Sequence, residues 1–95
     1  VFLLRRFGVG RTQALRLAGG EWADRVPATS LRTVLEAAAA GDIPIMVFIG
    51  NRGAIEIHTG PVRNLRALGS WFNVLDDDLN LHVDESGLSG GWIVR

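Results

Sequence analysis

The sequence predicts an α+β domain in which short N-terminal helices precede a meandering antiparallel β-sheet. Helix-like spacing of apolar residues, broken by glycines, occupies residues 2–40. Short alternating runs separated by turn residues occupy residues 45–94. Helices followed by strands, without a regular alternation of the two, are typical of α+β folds. The 95 residues suffice for one small domain, and we expect residues 1–95 to form it.

Three helical segments are expected in the first part of the chain. Residues 2–7 fit the end of an amphipathic helix, which the following glycine stops, and residues 11–17 fit a second short helix. A third helix at residues 31–40 should begin at a hydroxyl cap from the preceding Thr-Ser pair. Its apolar face should hold Leu31, Val34, Leu35 and Ala38. Residues 22–26 could form a short strand that ends at the next proline.

The stretch Ile45–Gly60 predicts a β-hairpin that organises the sheet. Two alternating runs, at residues 45–50 and 54–59, flank the turn Gly50–Gly53. Gly and Asn accept positive φ, so these residues suit a tight turn. Strands joined by so short a turn pair antiparallel. The second run is half polar, so one face of the hairpin should meet water or a ligand.

Further strands are expected at residues 62–68, 71–75, 79–83 and 92–94. The three aspartates between the second and third of these should form a turn. Trp71 and Trp92 each lie in an apolar run on a strand-like segment, so we expect both to be substantially buried.

Composition excludes several classes of protein. Ten basic residues, all arginine, balance ten acidic ones, so neither a general nucleic-acid surface nor an anionic-membrane surface is expected. With no cysteine, there can be no disulfide or thiolate metal site. No apolar run approaches the roughly 20 residues of a membrane span, and no secretory signal is visible. The chain starts at Val1 without Met and stops on an apparent strand, so we expect a fragment of a longer protein.

No pattern for a metal ion, a phosphate or a catalytic group is complete. His58 and His82 lie on the polar phases of strands, and each is more simply a surface or hydrogen-bonded histidine than a zinc ligand. Asp76–Asp78 lacks the alternate spacing of a calcium loop and fits a solvated turn. Gly50–Gly53 lacks the phosphate-loop lysine and precedes a strand, so it fits a hairpin turn. No catalytic residue is predicted.

Arg11 and Phe48 are the two candidate ligand-binding residues. Arg11 opens a short helix, where free N–H groups favour an anion and a guanidinium can bind a carboxylate through paired hydrogen bonds. It could equally be an exposed arginine at a helix end. Phe48 lies on the opposite strand phase from Ile45, Val47 and Ile49, so it either fills the core or lies against a flat apolar ligand. Composition favours core filling.

The sequence resembles the HemS/ChuS/PhuS family of bacterial cytoplasmic haem-utilisation proteins. The resemblance rests on MVFIGNRGAIEIHTGPVRNL, SWFNVLDDDLNLHV and GWIVR, together with Arg5–Arg11 and Gln13–Leu17 upstream. The blocks occur in order, at nearly constant spacing, across the chain. Residues 84–91 depart from the usual family pattern because they are rich in glycine.

The resemblance implies a haem-binding role. It places the chain in the C-terminal half of a longer two-half protein, with Arg11 near the haem propionates and Phe48 lining the haem pocket. The histidine that ligates the iron in the family would fall before Val1, so the chain itself should supply no metal ligand. We expect neither His58 nor His82 to ligate iron.

The expected function is therefore the binding of imported haem in the cytoplasm, for carriage or for degradation. The resemblance implies haem, and with it a haem oxygenase or a haem-import transporter, as partners. It leaves open whether the protein is an enzyme. The alternative is a structural half-domain that completes a sheet or interface in a larger protein and has no ligand of its own.

Overall fold

The computed structural model describes residues 11–95, and its helices and strands confirm the α+β class. The elements are α1 Arg11–Ala18, β1 Ala23–Val26, α2 Ser30–Ala40, β2 Ile45–Gly50, β3 Ile55–Gly60, β4 Leu65–Leu68, β5 Trp71–Leu75, β6 Asn80–Asp84, a 3-10 helix Glu85–Gly87, and β7 Gly91–Val94. The helix end predicted at residues 2–7 lies outside the described residues. Within residues 11–95, neither helix has the length and apolar content needed to cross a bilayer.

The chain divides into two compact units, which we describe separately. Within the described residues, the first unit comprises residues 11–30 and 89–95. The second unit comprises residues 31–88.

In the first unit, strand β1 pairs antiparallel with the distant strand β7, from Ala23↔Val94 to Val26↔Gly91. Helix α1 packs beside β1, and the turn between them uses a glycine at φ +80°. The carbonyl of that glycine accepts hydrogen bonds from the N–H groups of Trp22 and Ala23, at 3.1 and 3.0 Å. An ion pair between Arg95 and Asp24, at 2.7 Å, ties the end of the chain to β1.

In the second unit, the predicted hairpin is confirmed. Strands β2 and β3 pair antiparallel from Ile45↔Gly60 to Gly50↔Ile55. The side chain of Asn51 shapes the turn, because its Oδ1 accepts bonds from the N–H groups of the next Gly and Ala at 2.8 and 3.0 Å. Strands β4, β5 and β6 form a separate antiparallel meander. The two-residue turn between β4 and β5 starts with Gly69 at φ +59°, which suits a primed hairpin turn.

The hydrophobic core lies in the second unit, between α2 and the inner face of the meander. Its buried members are Leu35, Ala38, Val62, Phe72, Val74 and Leu79. Of the four residues expected on one face of α2, Leu35 and Ala38 are buried, whereas Leu31 and Val34 are exposed.

The prediction that Trp71 is substantially buried is wrong. Trp71 is 47% exposed, while Phe72 beside it is only 4% exposed. Successive side chains of a strand project to opposite faces, and β5 turns Phe72 and Val74 toward the core. Trp71 therefore falls on the outer face. Trp92, in the first unit, is half-buried.

Asp76 fixes the loop that leads into β4. One carboxylate oxygen accepts a bond from the N–H of Arg63 at 2.9 Å. The other accepts bonds from the N–H and the side-chain amide of Asn64 at 2.8 and 2.7 Å. The Asp76-Asp77-Asp78 stretch thus forms the expected turn, and its buried member, Asp76, is a structural hydrogen-bond acceptor. Among residues 11–95, no group of three or more potential ligands is placed to hold a metal ion.

Candidate functional site

One face of the β2–β3 hairpin is an exposed apolar surface, and Phe48 lies on it. Directly paired residues of an antiparallel ladder project to the same side, and Phe48 pairs with Ile57. Residues two positions further along each strand project to the same side. We call this surface the hairpin face; its four apolar side chains, 54–64% exposed, are Met46, Phe48, Ile55 and Ile57.

The exposure of Phe48 places it outside the core of the described residues. At 57% exposed, Phe48 does not fill the core. It is available for contact with a flat apolar ligand or with another part of a larger protein. The four side chains that define the hairpin face are all apolar. They can supply hydrophobic and dispersion contacts to a ligand but cannot orient it by charge.

The opposite face of the hairpin turns toward β6 and carries His58. Val47 and His58 are paired on this face and are half-buried. The Nε2 atom of His58 is buried without a hydrogen-bond partner. The residues lining a cavity of about 30 Å³ there are Val47, Ile49, Glu56, His58, Leu79, Asn80 and Leu81. That space holds about one water molecule, so His58 has no room for a bulky ligand.

His82 is a hydrogen-bonded surface histidine, as predicted. Its Nδ1 lies 2.8 Å from Oδ1 of the buried Asn73, its partner across the β5–β6 ladder. The amide nitrogen of Asn73 donates to the carbonyl of Arg66 at 3.0 Å. Because that bond fixes Oδ1 as the acceptor, the proton of a neutral His82 is assigned to Nδ1.

Arg11 is the first residue of α1 and is exposed. It makes no ion pair within residues 11–95, so its guanidinium is available to an anion there. Arg11 belongs to the first unit and Phe48 to the second. The two candidate residues supply different chemistry, because Arg11 offers a charged guanidinium and Phe48 an apolar ring.

Sequence reasoning found Phe48 but missed the other members of the hairpin face. The phase of β2 was enough to place Met46 beside Phe48, because both lie on the same side of an alternating strand. Ile55 and Ile57 could be added only once the register Phe48↔Ile57 was known. A shift of one residue in that register would have placed both isoleucines on the opposite face.

Comparison with known proteins identifies the family. A family model for the haemin-degrading HemS.ChuX domain matches residues 8–95, nearly the whole chain. The hemin transport protein HmuS of Yersinia pestis is 36% identical over 93 residues, which cover 98% of this chain and 27% of HmuS.

Two solved structures are similar to the chain. The crystal structure of holo-PhuS, a heme-binding protein from Pseudomonas aeruginosa, matches with a TM-score of 0.95 and 56% identity, over 98% of this chain and 27% of PhuS. The structure of ChuS, an E. coli heme oxygenase, matches with a TM-score of 0.93 and 34% identity, over 99% of this chain and 29% of ChuS. The chain thus spans little more than a quarter of the length of these relatives. Because the family model covers almost all of its residues, the chain belongs to the HemS.ChuX family.

Proposed function

We propose that this chain forms part of a haem-binding protein that handles imported haem in the bacterial cytoplasm. The observation that carries the proposal is the exposed hairpin face, an apolar surface with an aromatic side chain, in a member of the HemS.ChuX family. Support comes from relatives that are described as heme-binding, as hemin transport proteins and as a heme oxygenase.

The hairpin face has the chemistry that a porphyrin requires. A porphyrin is large, planar and apolar over its faces, so it gains most from a surface rich in apolar contact area. Phe48 offers a ring for stacking, and Met46 offers a deformable thioether beside it. These side chains are already exposed, so contact with haem would remove apolar area from water at each of them.

Arg11 would bind a haem propionate. A guanidinium binds a carboxylate through two parallel charge-assisted hydrogen bonds, and no carboxylate within residues 11–95 competes for Arg11 through an ion pair. We assign the iron ligand to neither His58 nor His82. The Nε2 of His58 is buried, and His58 lines a cavity of only about 30 Å³. His82 is hydrogen-bonded to Asn73 on a different sheet.

Bound haem would supply the redox chemistry of any degradation, and these residues would only hold it. Delivery of haem to a separate oxygenase, or receipt of haem from an import transporter, would use the same haem-contacting residues. We propose haem handling as the shared function of both routes.

The test is a haem titration followed by absorption spectroscopy, on protein that includes the natural sequence upstream of Val1. Phe48→Ala should weaken haem binding about fivefold to tenfold, because it removes a large contact. Trp71→Ala is the matched control, since Trp71 is an exposed aromatic on another sheet. Arg11→Gln should weaken binding about tenfold, with the exposed Arg66→Gln as its control.

Two outcomes would contradict the proposal. One is haem affinity that neither Phe48→Ala nor Arg11→Gln changes. The other is a Phe48→Ala variant that loses stability in denaturant while keeping its haem affinity, which would favour the structural half-domain. The proposal for the iron ligand fails if the Soret band of haem-loaded protein is lost in His58→Ala or His82→Ala.

A further inference from the structure

Two arginines of the first unit line one hollow. Arg16 comes from helix α1 and Arg25 from strand β1, and between them lies a cavity of about 180 Å³. The start of β7 closes its other side, so that segments from both ends of the described chain meet there. The remaining lining residues are Ser89, Gly90, Gly91 and Trp92.

The guanidinium of Arg25 lies beside an aromatic ring and a glycine. It lies 6.0 Å from the centroid of the Trp92 ring, on the paired strand. Gly90 lies against it on another side: a Cβ added there would stand 3.7–3.8 Å from the guanidinium nitrogens and 3.3 Å from the carbonyl oxygen of Val26. Gly90 also has a φ of +143°, which glycine adopts without strain. The backbone can therefore approach the cation closely.

Within residues 11–95, no ion pair compensates the charge of the two arginines in this hollow. None of its six lining residues is acidic. Neither Arg16 nor Arg25 makes an ion pair within residues 11–95, whereas Arg95 of the same unit is paired with Asp24 at 2.7 Å. Two guanidinium groups that share a hollow repel each other, and an anion bound between them would relieve that repulsion.

We propose that this hollow, lined by Arg16 and Arg25, binds a compact oxyanion with two negative charges, of the phosphate or phosphate-monoester type. Two planar forks can each donate paired hydrogen bonds to terminal oxygens, and Ser89 adds a hydroxyl to the lining. A volume of about 180 Å³ is enough for a tetrahedral ion.

This site is separate from the propionate contact proposed for Arg11. Arg16 follows Arg11 by five residues on the same helix, so the two side chains point about 140° apart around its axis. Failure of one proposal therefore leaves the other standing.

A tryptophan reporter can test the proposal on the full chain. The protein has three tryptophans, and Trp22 and Trp71 are exposed, so replacing both with Phe leaves Trp92 as the only reporter. Titration with sodium phosphate at about pH 8, against sodium chloride at equal ionic strength, should give a saturable change in fluorescence with phosphate only. Calorimetry on the unmodified chain should give the same affinity.

The variants then locate the site. Arg16→Gln and Arg25→Gln should each weaken phosphate binding about tenfold or more, by calorimetry, because each removes charge-assisted hydrogen bonds. Arg66→Gln removes an exposed arginine of the other unit and should change the affinity less than twofold. The proposal is overturned if phosphate binding does not saturate, if Arg66→Gln weakens it as much as Arg16→Gln does, or if acetate binds as tightly as phosphate.

Discussion

Removal of the Asp76 carboxylate should be among the most damaging single changes in the second unit. Asp76 is 7% exposed and accepts three hydrogen bonds, from the N–H groups of Arg63 and Asn64 and from the Asn64 side-chain amide. These bonds hold the segment before β4 against the β5–β6 turn.

The expected loss of stability comes from the hydrogen-bond donors that lose their acceptor. Asp76→Ala leaves two partly buried backbone donors without an acceptor, and each such donor costs about 1–3 kcal/mol. We expect a loss of about 3 kcal/mol in the free energy of unfolding, out of the roughly 5–15 kcal/mol of a typical domain. Asp76→Asn should cost about 2 kcal/mol, because one oxygen becomes an NH₂ group that faces an N–H donor.

The effect should also depend on pH. Burial raises the pKa of the Asp76 carboxyl, but the bonds from Arg63 and Asn64 lower it by more, so the pKa lies below its usual value. A carboxyl whose pKa is lower in the folded state stabilises the fold fully above its unfolded pKa of about 3.9. That contribution is lost as pH falls through the folded pKa. The difference in the free energy of unfolding between wild type and Asp76→Ala should therefore be constant above about pH 5 and should decrease below about pH 4.

The measurement is urea denaturation of each variant, followed by circular dichroism at several pH values. Asp77→Asn is the control, because Asp77 is an exposed neighbour in the same turn, and it should change the unfolding free energy by less than about 0.5 kcal/mol. Equal midpoints for Asp76→Asn and Asp77→Asn at neutral pH would refute the structural role of Asp76. A gap that widens on acidification would refute the pKa argument.

Three further pairs of substitutions, each compared by urea denaturation, test the packing of this chain. Phe72→Ala should lower the free energy of unfolding by about 3–5 kcal/mol and Trp71→Ala by less than about 1 kcal/mol, because β5 buries Phe72 and exposes Trp71. Equal losses would contradict the burial of Phe72 on the core face of β5. Gly69→Val should cost more than 1 kcal/mol, since φ is +59° there, while Gly87→Ala, which meets open space, should be nearly neutral. Arg32→Lys should lower the midpoint as much as Arg32→Gln does, because lysine lacks the two-pronged fork; full retention by Lys would show that charge alone matters.

The local elements could be predicted because their signals are local. Two alternating runs around turn residues predict the hairpin Ile45–Gly60, and its observed register follows from that turn. Strand β5 was predicted at its observed bounds, Trp71–Leu75, for the same reason. The face of β5 that is buried could not be predicted, because both alternating sets of side chains on this strand include aromatic or aliphatic residues. Which set is buried depends on the packing of the core.

The distant contacts could not be predicted. Strand β1 pairs with β7 across more than sixty residues of sequence, and no periodicity in either strand specifies the other. The hollow between Arg16 and Arg25 depends on that pairing, since Trp92 and Gly90 reach Arg25 only through it. From the sequence, both arginines were merely two of ten.

The exclusive use of arginine has a physical meaning at particular positions. Arg32 shows what lysine could not do: its Nε and Nη2 donate to the two carboxylate oxygens of Glu85, and its guanidinium lies 4.9 Å from the centroid of the Phe72 ring. The carboxylate that occupies this fork comes from the protein itself. Arg25 repeats half of that arrangement, with a tryptophan ring beside the guanidinium and no carboxylate among the residues that line its hollow. A guanidinium beside an aromatic ring, with no ion-pair partner within residues 11–95 and a second arginine lining the same hollow, is the arrangement that an external oxyanion would complete.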